Sequence, residues 1–140
     1  MLRSACLALS ALALLPAGCG SALYLTVSGS APRARAEVFD CAKSQIQVLG
    51  YDQDSLDKDA FRLTAHKPDY ETRMADTQFR RMMDRLAIEV GKPTDAGVRL
   101  KIEAHTFAEL MTQRGPTQVE REASPAARAA AQALLDACGS

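Results

Sequence analysis

The side chains of this 140-residue sequence best suited to metal chemistry are its two histidines, His66 and His105. Both fall on alternating polar positions of predicted strands, with Glu89 and Glu103 expected on the same solvated sheet face. If those strands were adjacent, a His/His/Glu zinc site and a metal-dependent hydrolase would be possible. No short-spaced ligand motif such as H-E-x-x-H supports this, so two surface histidines are the simpler interpretation.

A run of four aspartates, Asp52, Asp54, Asp57 and Asp59, raises the question of calcium. Calcium loops use alternating oxygen ligands, with Gly at loop position 6 and Glu at position 12. Counted from Asp52, those positions hold Asp57 and Leu63. The run therefore predicts an acidic, solvated turn.

The sequence shows no G-x-S-x-G motif, no glycine-rich phosphate loop and no free cysteine paired with a histidine. We therefore predict a protein that is not an enzyme and that uses no metal or other cofactor. The balanced charge, with 17 basic and 17 acidic residues, gives no reason to expect a nucleic-acid partner.

Four apolar residues, Met74, Phe79, Met82 and Met83, stand among several arginines. Methionine and arginine are enriched at protein interfaces, so this stretch is a possible partner surface. Filling of gaps in the core is the alternative interpretation.

Cys41 and Cys138 lie near the two ends of the predicted folded region. If the chain is exported, two remaining cysteines in an oxidising compartment usually pair. Buried free thiols are the alternative. A disulfide would require the two Cα atoms to lie within about 7 Å.

Hydrophobic periodicity predicts the elements that would position these residues. It indicates a helix over 34–49, a hairpin over 51–66, a second hairpin from strands 86–90 and 98–107, and a last helix from the N-cap Ser124. One-sided strands need a cover that amphipathic helices can supply. We expect an α+β fold, a two-layer sandwich of an antiparallel sheet of about four strands with two helices packed on one face.

Three stretches lack a clear periodicity. Residues 28–33 and 113–122 are rich in Gly, Pro and polar side chains, and both are expected to be linkers. Residues 67–84 give no decisive pattern.

The N-terminus has the pattern of a secretory signal. Arg3 is the only charge in the first 32 residues, and a short apolar run follows it. Leu14, Leu15, Ala17, Gly18 and Cys19 make the segment resemble the lipobox of bacterial lipoproteins, with Pro16 departing from the pattern. The resemblance implies cleavage before Cys19 and acylation of that cysteine. An uncleaved anchor over 2–27 and a simple secretory cut near Ala22 are the alternatives.

The expected organisation is a signal peptide over 1–18, a lipidated Cys19 with a flexible tether to residue 33, and one domain over 34–140. In the lipoprotein family, Gly20 after the modified cysteine favours the outer membrane, facing the periplasm. The arrangement is similar to the BamC-like helix-grip modules of outer-membrane assembly lipoproteins: a helix that ends in Leu49-Gly50-Tyr51 is followed by an acidic turn and a short strand. We expect a non-catalytic module that binds or braces envelope partners. A carrier of a small apolar or lipid ligand is the alternative.

Overall fold

The structure, a computed structural model, describes residues 22–140, so the predicted signal peptide 1–18 and Cys19 lie outside the described residues. In chain order the elements are β1 (Leu25–Ala31), α1 (Arg35–Val48), β2 (Asp52–Asp57), β3 (Arg62–Asp69), β4 (Phe79–Thr94), β5 (Gly97–Thr112), β6 (Gly115–Arg121) and α2 (Pro125–Cys138). No helix among residues 22–140 is both long and apolar enough to cross a membrane.

The six strands form one antiparallel sheet in the order β1-β5-β4-β3-β2. The sixth strand, β6, pairs with the same edge of β5 as β1 does. The first half of the long strand β5 pairs with β1, as in Ala31 opposite Val98, and its second half pairs with β6, as in Thr106 opposite Arg121. The strands β1 and β6 therefore lie end to end along one edge of the sheet.

The core lies where strand alternation places apolar side chains. On β4 the buried positions are Leu86, Ile88 and Val90, and β5 contributes every second residue from Val98. The intervening side chains form what we call the open face of the sheet. Its central members are Thr64, His66, Arg85, Glu89, Lys101, Glu103, His105 and Phe107.

Both helices pack against the sheet, α1 mainly on β4 and α2 on β5 and β1. The helix α1 buries Val38, Ala42 and Ile46 at the predicted spacing, together with Phe39. Gly50 ends this helix with a φ of +78°, as its sequence position predicts. The helices are joined by the predicted disulfide between Cys41 and Cys138, whose Cα atoms are 5.8 Å apart.

The two ends of α2 are satisfied by specific side chains. Ser124 is the N-cap, because its hydroxyl accepts a hydrogen bond from the Ala127 amide, and Pro125 begins the helix as predicted. At the other end, the Arg33 guanidinium donates to the Cys138 carbonyl at 2.8 Å. A cation at this end also interacts favourably with the helix dipole.

The expected α+β class is confirmed, but the expected count of four strands is wrong, because two predicted linkers are strands. Residues 28–31 belong to β1, so the sheet begins before the expected domain boundary at residue 34. The small and polar residues of this stretch suggest a linker, but small residues are required because α2 packs closely against β1 here. A Cβ at Gly29 would lie 3.1 Å from the Gly139 carbonyl oxygen and from Leu135 Cδ1.

The second misjudged stretch, 113–122, contains β6. Five of its seven residues are exposed, so the strand shows little hydrophobic alternation. Pro116 fits because an edge strand tolerates a residue without an N–H. The stretch 67–84, which gave no clear pattern, holds the end of β3, the connection 70–78 and the start of β4.

Candidate functional site

The two histidines lie on the open face but not together. His66 stands opposite Arg85 across β3 and β4, and Arg85 stands opposite His105 across β4 and β5. Two strand spacings separate the imidazoles by about 10 Å, too far to share one ion. Within residues 22–140, no group of three or more His, Cys, Asp or Glu side chains is arranged to hold a metal ion.

His105, on β5, instead contacts residues of β6 and of the segment before β1. Its Nδ1 lies 2.7 Å from Glu120 on β6, and its ring stacks on Tyr24, with centroids 4.9 Å apart, and on Phe107. Its Nε2 lies 3.6 Å from Glu103. The hydrogen bond from the Lys101 ammonium, with a smaller contribution from His105, holds the pKa of Glu103 below its usual range. These contacts give His105 a structural role.

The predicted acidic turn is wrong for most of the aspartate run, because Asp52, Asp54 and Asp57 lie on β2 and only Asp59 lies in the turn that follows it. The carboxylate of Asp57 accepts hydrogen bonds from the amides of Asp59 and Ala60, at 3.0 and 2.9 Å. Asp54 is engaged elsewhere, with His66 and, at 4.0 Å, with Arg85. The carboxylates of Asp54 and Asp57 are therefore used by the protein's own turn and sheet.

The four residues of the possible partner surface do not form one surface. Met82 and Met83 are consecutive on β4, so their side chains point to opposite faces of the sheet. Met83 is buried opposite Phe107, whereas Met82 lies opposite Ala108 on the helix side. Phe79 begins β4, and Met74 lies in the connection before it.

The cleft with the richest chemistry lies at the start of α2, and we call it the α2 cleft. It opens to solvent and has a volume of about 620 Å³. That volume is typical of small-molecule sites, which span about 300–1,000 Å³. The end of β3, the residues after it, β4 and the first turn of α2 form its walls. The lining residues are Lys67, Pro68, Asp69, Tyr70, Glu71, Thr72, Asp84, Ser124, Pro125 and Ala126.

The innermost charged group of the α2 cleft is the carboxylate of Asp84, which is only 5% exposed. It accepts hydrogen bonds from the hydroxyls of Thr106, at 2.6 Å, and Ser124, at 2.9 Å. The amide of Ser124 donates in turn to the Thr106 hydroxyl at 2.8 Å. This network fixes the carboxylate and the beginning of α2 relative to the sheet.

Tyr51 is a second buried ionisable residue, and its pKa responds first to burial and then to Asp84. The tyrosine is buried directly after α1. Burial, followed by the negative charge of Asp84, raises the pKa of the Tyr51 phenol well above its ordinary value. The Tyr51 ring is also covered by Lys67, whose Nζ lies 5.7 Å from the ring centroid.

Asp84 was not predicted as a site residue, although the sequence contains a signal for it. It falls two residues before Leu86, in phase with Ile88 and Val90. A carboxylate on the buried phase of a strand is unusual, because buried charges are costly unless they are partnered. Extending the alternation of β4 towards its N-terminus would have identified it.

Comparison with known proteins leaves these residues as the basis for any functional argument. The chain matches no protein-family model and no curated protein sequence.

Proposed function

We propose that this protein is a non-catalytic, lipid-anchored module of the bacterial cell envelope that binds or braces partner molecules there. In this proposal the signal over 1–18 is removed, Cys19 is acylated, and the folded domain faces the periplasm from the outer membrane. The α2 cleft is its binding surface.

The use of the cysteines is the observation on which the proposal rests. Of the four cysteines, Cys41 and Cys138 are joined in a disulfide, and Cys6 falls within the predicted signal. Disulfides persist in oxidising compartments such as the periplasm. The remaining cysteine, Cys19, stands at the position that the lipobox pattern assigns to the acylated residue.

The polar groups of the α2 cleft favour binding over catalysis. The Ser124 hydroxyl donates to Asp84 and accepts from the Ala127 amide, so it faces no histidine base. His66 and His105 lie on the open face, across the sheet from this cleft.

An exposed cleft also fits this structure better than an interior carrier site. Between the sheet and the helices lie Leu86, Leu100, Ile102 and Leu134, each fully buried and belonging to one contiguous core. The α2 cleft, in contrast, opens to solvent, and seven of its ten lining residues have a polar or charged side chain. We therefore favour a polar ligand or partner over an apolar cargo.

The anchor is tested by the intact mass of the protein from native membranes, with thiol alkylation before and after reduction. We expect a chain beginning at acylated Cys19, with two alkylation sites that appear only on reduction. A mass that retains residues 1–18, or thiols that react without reduction, would refute the exported, lipid-anchored assignment.

The binding surface is tested by placing a photo-crosslinking amino acid at Ala126, at the mouth of the α2 cleft. Ala133 is the matched control, because it is an exposed alanine about two turns further along α2. We expect a discrete crosslinked partner in native membranes from position 126 alone. Identical patterns from both positions would argue against the α2 cleft as the binding surface.

A further inference from the structure

Asp84 is a buried carboxylate without a basic partner. Within residues 22–140, no Lys, Arg or His nitrogen lies within 4 Å of its oxygens. Its contacts are two neutral hydroxyls, from Thr106 and Ser124. Buried charges are normally paired with an opposite charge, because hydroxyl groups alone offset only part of the cost of desolvation.

The nearest candidate for an internal partner is Lys67, which is committed elsewhere. It stands opposite Asp84 across β3 and β4, so the two side chains share the helix side of the sheet. Its ammonium nevertheless donates to the Leu49 carbonyl at 3.0 Å, at the C-terminal end of α1. A cation is well placed there because of the partial negative charge of the helix end.

The rest of the α2 cleft adds negative charge near its mouth. Asp69 and Glu71 both line it, against the single lysine. The Thr72 hydroxyl and the amides of Glu71 and Thr72 hydrogen-bond to Asp69 and hold the pKa of that carboxyl below its usual range. The α2 cleft therefore combines a buried, fixed carboxylate with two further carboxylates and one lysine.

We propose that the α2 cleft binds a primary ammonium group, which donates to the carboxylate of Asp84. This inference names a ligand class for the binding surface of the proposed function and to that extent rests on it. The ammonium belongs to a free amine or to a lysine side chain of a partner.

The geometry favours a compact cation that enters end-on. Ser124 contacts both carboxylate oxygens of Asp84, and Thr106 contacts one, which leaves acceptor capacity on the other oxygen. An ammonium on a flexible stem is a point charge with three donors, so it can reach a single recessed carboxylate. An anion of similar size would meet the buried Asp84 and two further carboxylates, and the nearby cations, Lys67 and the two arginines that contact Tyr70, lie towards the mouth, so it should bind more weakly than an ammonium.

The test is an amide chemical-shift titration of the full-length protein in detergent with n-butylammonium chloride. Sodium chloride at equal ionic strength and sodium butyrate are the reference titrations. A second series uses the acetylated and amidated peptide Ala-Lys-Ala. We expect saturable amide shifts around Asp84, Lys67 and Ala126 with butylammonium and with the peptide. Sodium chloride and sodium butyrate should give no saturable shifts there. Tighter binding of the peptide indicates a protein partner, and tighter binding of butylammonium indicates a free amine.

Two variants decide whether Asp84 is the acceptor. Asp84→Asn keeps the shape of the side chain and an oxygen for the hydroxyl donors, and it should weaken ammonium binding by about tenfold or more. Ala126→Leu keeps Asp84 but narrows the cleft at an exposed helical position, so it tests the site even if D84N fails to fold. Asp54→Asn, on β2 and outside the α2 cleft, is the control and should bind as the parent does.

Ammonium shifts that do not saturate, or that are unchanged in both Asp84→Asn and Ala126→Leu, would overturn the inference. The titration does not depend on where the protein resides or on whether Cys19 is acylated. Its failure is therefore distinguishable from failure of the lipid anchor, which the mass measurement tests separately.

Discussion

At the scale of single residues, the two buried ionisable groups Asp84 and Tyr51 are the most informative features. The phenol of Tyr51 has its pKa raised by burial and, secondarily, by the charge of Asp84. An ionisable group whose pKa differs between the folded and unfolded states links stability to pH. For a raised tyrosine pKa, the folded state favours the protonated form.

We therefore expect alkaline pH to destabilise the fold through Tyr51. The stability that comes from keeping Tyr51 neutral is fully present below about pH 10, the pKa of an unfolded tyrosine. It is lost as the pH rises from there towards the pKa of Tyr51 in the folded state. The measurement is the free energy of unfolding in urea between about pH 8 and pH 11, for the parent and for Tyr51→Phe. Above about pH 10, this free energy should fall more steeply in the parent than in the variant, by up to about 1.4 kcal/mol per pH unit. Parallel pH profiles for the two proteins would contradict this assignment.

At the scale of elements, α2 is held at both ends by side chains from elsewhere in the chain. Ser124 joins its first turn to Asp84, and Arg33 binds its last carbonyl. The N-cap was predictable, because Ser followed by Pro and an alanine-rich run is typical of a helix start. Its contact with Asp84 was not, since it joins residues 40 positions apart.

Substitution of the cap should cost more stability than an ordinary serine substitution. Ser124→Ala removes the bond to the Ala127 amide and leaves Asp84 with one hydroxyl donor, so we expect a loss of about 1–2 kcal/mol or more in urea unfolding. Ser44→Ala, at an exposed position inside α1, should change stability by less than about 0.5 kcal/mol. Equal effects of the two substitutions would show that the cap network has little energetic weight.

The strands show why only part of the sheet was predictable. Strong alternation over Leu86–Val90 and Val98–Ala104 identified the central hairpin, because one face of each strand is buried. The two strands that share the edge of β5 gave no such signal. Gly29 and Ala31 are small where α2 approaches, and β6 is mostly exposed, so tertiary packing determined their conformation.

At the scale of the whole molecule, the disulfide joins the first helix of the chain to the last. Cys41 and Cys138 are 97 residues apart, and they link α1 to α2 over the core. A count of cysteines predicted this pair. The lateral order of the strands could not be predicted in the same way, because it depends on contacts between distant segments.

Loss of this bond should be among the most damaging changes to stability. For a loop of this length, chain-entropy arguments give about 4–5 kcal/mol. We expect the double variant Cys41→Ala/Cys138→Ala to lose a large part of that amount in urea unfolding. Reductant should lower the parent to a similar level and leave the double variant unchanged. A double variant as stable as the oxidised parent would contradict the prediction.

The early start of the fold has a consequence for how far the domain can travel. The Leu23 carbonyl already accepts a hydrogen bond from the Ala123 amide at 2.8 Å, and Tyr24 stacks on His105. If Cys19 is acylated as proposed, only residues 20–22 separate the lipid from the fold, a contour length of about 15 Å at most. This short linker would keep the domain close to the bilayer surface. The domain would then meet its partners by diffusion in the plane of the membrane rather than across the depth of the periplasm.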